Sequence, residues 1–482
     1  MHIQIAFRVL GVLLMIFSLT MLPPVFVSWI YDDGVGIIFI NTFLFTLLTG
    51  FILWLFFRWD ETDMRIKDGF LVTFLFYVAL GTVGAIPFAQ EAGIALSWPN
   101  ALFESFSGIT TTGATVITGL DQLPESILYY RQQLQWLGGM GIIVLAVAIL
   151  PMLGIGGMQL YRAETPGPVK DSKLTPRIKQ TAMALWSIYL GLTAVCAISY
   201  WLAGMTFFDA ICHSFSTVAI GGFSTHDSSI GYFDSALIES IAIVFMVLSG
   251  INFGLHFFAL KEKALFHYFQ DDEVVWYLLI LATAILIVTL ILVSHQVYEV
   301  PQAFRLAAFE VVSIFTTTGF ATADFSVWPN MIPYLIFFGA FTGACAGSTG
   351  GGMKVMRVML IIKQGQREIH RLIHPNAIFP IKINKRPVSN NVIEAIWGFF
   401  SFYVIIFLFL DLIMVSQGMD FLTAFSAVGA AMNNLGPGLG SVAYHYNDIT
   451  DTAKLVLCFA MMLGRLEIFT LLVLFSPMFW RK

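Results

Sequence analysis

Charge is scarce in this chain. Asp, Glu, Lys and Arg make up 11% of its 482 residues, hydrophobic residues make up 58%, and the mean hydropathy is +0.81. That leaves too little polar surface to enclose a soluble core, so the chain belongs in lipid. Cysteine is scarce as well. Cys196, Cys212, Cys345 and Cys458 fall in separate apolar segments without a pairing pattern, which predicts buried free thiols and excludes a disulfide scaffold. His370 and His374 have i, i+4 spacing but no third ligand nearby, so they read as a solvated helix face. The sequence has no nucleophile set beside a base, no metal-ligand cluster and no phosphate cradle, which excludes an enzyme acting on lipid; nothing points to nucleic acid or to an organic cofactor. The stretch Ile3 to Leu22 lacks a small-residue cleavage site and runs into Pro23-Pro24, so it predicts a retained helix.

The few cations are unevenly placed. Lys and Arg cluster at Arg58 to Lys67, Arg162 to Lys179, Lys261 to Lys263, Lys354 to Arg386 and Arg481 to Lys482, while Gly204 to Ser235 and Gln417 to Thr450 contain none. The positive-inside rule then puts both termini in the cytoplasm and requires an even number of spans. Long apolar segments fall at 5–29, 35–57, 68–90, 127–158, 181–203, 235–260, 274–295, 331–363, 392–416 and 453–479, which predicts ten.

Between spans of four successive pairs lies a segment too interrupted to cross and too apolar to be an ordinary loop. Aligned on one glycine, the four read FESFSGITTTG to Gly113, CHSFSTVAIGG to Gly222, FEVVSIFTTTG to Gly319 and SAVGAAMNNLG to Gly436. Twelve residues before each glycine stands Ala101, Ala210, Ala307 or Ala424; six before stands Ser107, Ser216, Ser313 or Ala430. These are internal repeats. About ten helical residues extend roughly 15 Å, halfway through a bilayer, so each segment must re-enter. Non-helical backbone at that depth survives only inside protein or against water. Four such loops around one axis make a pore.

Rings of backbone carbonyls replace the water of a monovalent cation, and glycine permits the backbone that aims them inward. Thr111, Thr112, Thr317 and Thr318 add oxygens, and the half-helices present their partially negative ends to the membrane centre. Asp121, Glu125, Asp227, Asp234, Asp324 and Asp448 fall in the outer loops, where they would concentrate cations.

Two further features stand out. GACAGSTGGGMK, Gly343 to Lys354, cannot hold a stable helix and predicts a break in the second span of the third repeat, either a flexible plug or a small-residue packing seam. It is not a phosphate loop, because Met353 separates Gly352 from Lys354. In the last span, Arg465 and Glu467 stand inside an apolar helix, where charge is costly and faces a cavity or partner. A structural ion pair, a grip on the plug and a positive barrier all fit Arg465, and a gating role is favoured. Asp411 is the other obvious carboxylate at lipid depth.

The four loops, GSTGGGMK, GRLEIFTLL and the stretch Trp136 to Pro168 resemble the Trk/Ktr/HKT superfamily of potassium transporters over essentially the whole chain. The resemblance implies an all-α polytopic fold: an N-terminal transmembrane hairpin (1–66), then pore repeats at 67–163, 164–262, 263–368 and 369–482 around a pseudo-fourfold pore. It implies potassium bound by Thr111, Thr112, Gly113; Ile220, Gly221, Gly222; Thr317, Thr318, Gly319; and Asn434, Leu435, Gly436. It also implies a gate of Gly347, Ser348, Thr349, Gly350, Gly351 and Gly352 with Arg465, a homodimer in a bacterial inner membrane, and a TrkA-like cytoplasmic ring that senses nucleotides. Lys354 to His374 is a candidate docking surface for such a ring or for anionic lipid. The rival reading is a proton- or sodium-coupled symporter.

Overall fold

The computed structural model describes residues 3–59, 66–90, 94–141, 178–329 and 331–480; these form helices and their connecting loops, with one two-stranded hairpin, Lys382–Ile383 against Arg386–Pro387. Among the described residues, six helices are long and apolar enough to cross a membrane: Ile3–Tyr31, Gly36–Phe57, Lys67–Ala89, Ala182–Leu202, Asp272–Ser294 and Asn390–Ser416. Their outward faces carry exposed Leu286, Leu290, Phe402 and Ile405, as a lipid-facing surface requires. The fold is all-α and polytopic, as expected.

Three of the remaining expected spans are bent or broken. Segment 235–260 bends by 96° between Ala236–Ser249 and Phe253–Glu262, and segment 453–479 bends by 113° between Asp451–Arg465 and Ile468–Phe475. Arg465 and Glu467 therefore lie at a break rather than inside a helix, which corrects the sequence expectation. A glycine in close approach stands beside each bend: a Cβ on Gly250 would stand 2.3 Å from the Tyr277 hydroxyl, and one on Gly464 2.4 Å from the Met432 carbonyl oxygen. The third repeat is broken where its small residues predict, Ile332–Thr342 stopping and Val355–Ile373 resuming. In the first repeat Glu125–Trp136 passes into a π-helical turn, Leu137–Gly141. The rest of segment 127–158, the motif up to Pro168, most of the Arg162 to Lys179 cluster and the 163/164 boundary lie outside the described residues.

The repeats close into a ring. The second helix of each packs on the short re-entrant helix of the next: Glu125–Trp136 on Phe207–Val218, Ala236–Ser249 on Val300–Phe315, Ile332–Thr342 on Phe421–Asn433, and Asp451–Arg465 on Trp98–Ile109. The N-terminal hairpin sits outside this ring. Its helices meet at Gly11 and Gly50, where a Cβ on either would stand 2.7 Å from the other's carbonyl oxygen, and Asp33 ties it to repeat one by accepting from the Ser126 amide at 3.0 Å.

Candidate functional site

Each re-entrant helix has a local start signal. Thr206 accepts from the Asp209 amide and Asp420 from the Thr423 amide, while the helices of repeats one and three carry Pro in their first turn. The helices are 12, 12, 16 and 13 residues long, so the third, at ~24 Å, is longer than the sequence suggested.

At their C-termini the four repeats share one backbone arrangement. The residue before each aligned glycine donates to a carbonyl five residues back: Thr112 to Ser107 (2.9 Å), Gly221 to Ser216 (2.8 Å), Thr318 to Ser313 (2.8 Å) and Leu435 to Ala430 (2.9 Å). The residue two before it is left-handed in every repeat, with φ of 57° at Thr111, 54° at Ile220, 70° at Thr317 and 52° at Asn434. Such conformations cost non-glycine residues about 1–2 kcal/mol each, so the surroundings must impose them four times over. Gly113, Gly222 and Gly319 are left-handed too, at 81°, 77° and 83°. Gly436 is the exception. Its φ lies outside the left-handed region, and Pro437, which follows it, disfavours helical backbone there.

The glycines also make the ring close. A Cβ on Gly113 would stand 2.0 Å from Gly221 O, and one on Gly222 2.0 Å from Thr318 O. One on Gly319 would meet Pro437 Cδ at 2.8 Å, and one on Gly436 would meet Gly113 O at 2.8 Å. Loop one abuts loop two, two abuts three, three abuts four and four abuts one. The structure thus brings together all twelve sequence-predicted loop residues, Thr111 to Gly113, Ile220 to Gly222, Thr317 to Gly319 and Asn434 to Gly436, around one axis.

Behind the ring stand braces that the sequence reading missed. Glu104 accepts from the Val116 amide (3.0 Å) and from Arg131 Nε (2.8 Å), and Arg131 also donates to Ser224 O (3.1 Å) while covering the Phe223 ring. In repeat three Glu310 accepts from the Thr322 and Ala323 amides at 2.8 and 3.0 Å. In repeat two His213 meets Ser224 Oγ at 2.9 Å, and in repeat four Ser426 Oγ accepts from the Leu439 amide at 2.8 Å. A readable signal existed: Glu104, His213 and Glu310 all lie nine residues before the aligned glycine. Asp411 and Glu467 are therefore joined by Glu104, Glu310 and Glu273 as buried or part-buried carboxylates.

The Gly343 to Lys354 segment lies against the helix-terminal side of the ring and bonds to repeats two, three and four. Thr349 Oγ1 donates to Val218 O at 2.9 Å, the Gly351 amide to Thr317 Oγ1 at 2.7 Å, and the Gly352 amide to Asn433 O at 3.0 Å. Gly347 O accepts from the Phe253 amide (3.0 Å), Ser348 Oγ donates to Cys345 O (2.6 Å), and Lys354 Nζ donates to Gly350 O (2.6 Å). Glu273 Oε1 accepts from the amides of Ala346 (2.7 Å) and Met356 (3.1 Å), holding both ends of the segment with one carboxylate. Arg465 completes the assembly. It donates to Thr349 O (3.1 Å), to Thr111 Oγ1 (3.2 Å) and to the carbonyls of Gly138 and Gly139. Its neighbour Glu467 pairs with Arg357, which turns one cation of the Lys354 to His374 stretch inward, away from any docking surface.

Elsewhere, the four cysteines are buried and unpaired, and His370 and His374 are exposed. Several outer acids serve loop structure: Asp227 accepts from the Gly119 and Leu120 amides, Asp324 from Ser326 and Tyr444, and Asp121 binds His226 at 2.5 Å. Burial disfavours charge on His226, yet hydrogen bonds to Asp209 and Asp121 raise its pKa above the ordinary histidine value.

Four re-entrant loops closed into a ring inside a polytopic helical chain define a membrane transport protein with a central path. The chain belongs to the TrkH family of cation transport proteins, whose defining pattern matches residues 36–482. It is 56% identical, over the full length of both chains, to the Trk system potassium uptake protein TrkH of Halomonas elongata. It is 51% identical to TrkH of Escherichia coli K12 over the whole of both chains, and 41% identical to TrkG of the same organism, covering 100% of this chain and 99% of that one. The crystal structure of the potassium transporter TrkH from Vibrio parahaemolyticus superposes with a TM-score of 0.91 at 50% identity, covering all of both chains.

Proposed function

We propose that the chain takes up potassium through the axis of the glycine-loop ring. The observation that carries this is the backbone arrangement repeated four times around one axis, with neighbours so close that a Cβ on any of the four glycines would stand 2.8 Å or less from the adjoining loop. Potassium fits such a ring because carbonyl dipoles replace its hydration shell without a fixed negative charge. The family membership, and relatives named as potassium uptake proteins, support the same cargo.

Thr111, Thr112, Gly113 and their counterparts hold the ion, and the Gly347 to Gly352 segment closes the path beneath it with Arg465 as a fixed positive charge. The hydrogen bonds that join that segment to repeats two, three and four, and Arg465 to repeat one, support a closed state. Opening requires those bonds to be exchanged, and the work comes from a cytoplasmic nucleotide-binding partner ring acting on a homodimer in the inner membrane, with both termini cytoplasmic. The buried carboxylates on the re-entrant helices, Glu104 and Glu310, are committed to backbone amides and Arg131, which favours a channel-like path over a proton- or sodium-coupled symport relay. Purified protein in liposomes with only a potassium gradient tests this: potassium flux supports the reading, and flux that appears only with an added proton or sodium gradient overturns it in favour of symport.

A further inference from the structure

The glycine loop of repeat two lacks the side chains that brace loops one and three. There Thr112 and Thr318 hydroxyls pair with Thr110 and Thr316, each at 2.8 Å, behind the backbone. Gly221 occupies the matching position and has nothing to offer. The space is filled from another repeat: a Cβ on Gly221 would stand 2.4 Å from Gln135 Cδ. The Gln135 amide Nε2 donates to Gly221 O at 2.6 Å, and its Oε1 accepts from the Phe223 amide at 3.0 Å. One buried side chain thus clamps the backbone on both sides of Gly222.

We propose that Gln135 is a specificity-determining positioning residue. It fixes the Gly221 carbonyl at the ring and draws on its electron density, in place of the threonine that loops one and three carry. A carbonyl oxygen has two lone pairs, so it can accept from Gln135 and still face a cation. The field it offers that cation depends on the hydrogen bond behind it. Discrimination between two monovalent cations turns on such small differences in oxygen position and field strength. The inference rests on the reading that potassium passes the ring.

The test is the potassium-to-sodium flux ratio of the full chain in liposomes, for wild type, Gln135→Met and Gln135→Glu. Met matches the length and removes both hydrogen bonds; Glu keeps the acceptor for Phe223 and removes the donor to Gly221. The ratio is expected to fall about tenfold in Met, the equivalent of one net hydrogen bond, and by a similar factor in Glu. A purely structural role would lower both fluxes together, and an unchanged ratio in a folded variant overturns the proposal. If Gln135→Met does not fold, the Glu variant decides alone. A wild type that passes sodium as readily as potassium overturns the potassium reading itself, and is distinguished because the defect is in the unmutated chain.

Discussion

The ring of glycine loops and the layer of helix breaks beneath it come from the same four repeats, yet one is nearly uniform and the other is not. In the ring every repeat keeps the same carbonyl acceptor and the same left-handed residue. In the layer below, repeat one has a π-helical turn, repeats two and four have sharp bends, and repeat three has a twelve-residue break from Gly343 to Lys354. A site that surrounds an ion from four sides needs four similar walls. A barrier needs only one segment long enough to reach across and something to hold it. On the proposed function, the asymmetry falls where the path would close and the symmetry where the ion would be held.

The comparison breaks most severely if a wall is thickened. Gly113→Ser places a Cβ 2.0 Å from Gly221 O on a residue at φ 81°, and the potassium-to-sodium flux ratio is expected to fall by about 10- to 100-fold. Gly436→Ser is the sharper arm. It meets Gly113 O at 2.8 Å without a left-handed backbone, so its ratio should fall less; equal losses at both positions would mean that backbone strain is not the cause. Next in size, deleting Ala346 to Gly352, or Arg465→Ala, should raise potassium flux about tenfold in protein reconstituted without any partner. Unchanged flux from a folded variant would remove the segment as the barrier. A smaller rise, about two- to threefold, is expected from Glu273→Gln, which keeps an acceptor for the Ala346 and Met356 amides but loses the charge that strengthens both bonds. The smallest effect lies outside the membrane. His226 has a raised pKa, so its ion pairs with Asp121 and Asp209 are fully present below the ordinary value of 6.5 and are lost as pH rises through the folded-state value. Wild type should therefore exceed His226→Gln in thermal stability at pH 6 by on the order of 1 kcal/mol, and the gap should close by pH 9. A gap that is constant with pH would assign the difference to the stacking of His226 on the Tyr232 ring instead.

The uniform layer was largely legible in the sequence. The aligned glycines, the alanines twelve residues earlier and the short re-entrant helices all follow from patterns that survive repetition. The uneven layer was legible only at Gly343 to Lys354, where small residues accumulate. The bends at Gly250 and Gly464 were not, because each lies beside a single glycine in an apolar helix whose close neighbour is distant in sequence, Tyr277 of the next repeat in one case and Met432 of the same repeat's re-entrant helix in the other. Arg465 was read as charge inside a helix because nothing local marks the break beside it. Gln135 and Glu273 went unread for the same reason: their partners, Gly221 and Ala346, lie in other segments, and polar residues in an apolar background carry no signal of where their hydrogen bonds go.

The central claim is that a cation is held on the axis of this ring. A density map of the protein soaked with rubidium tests it most directly. The account predicts a peak on the axis bounded by Gly113, Gly222, Gly319 and Gly436, on the far side of the Thr349 to Gly352 segment from Lys354. Rubidium bound only away from that axis would contradict it.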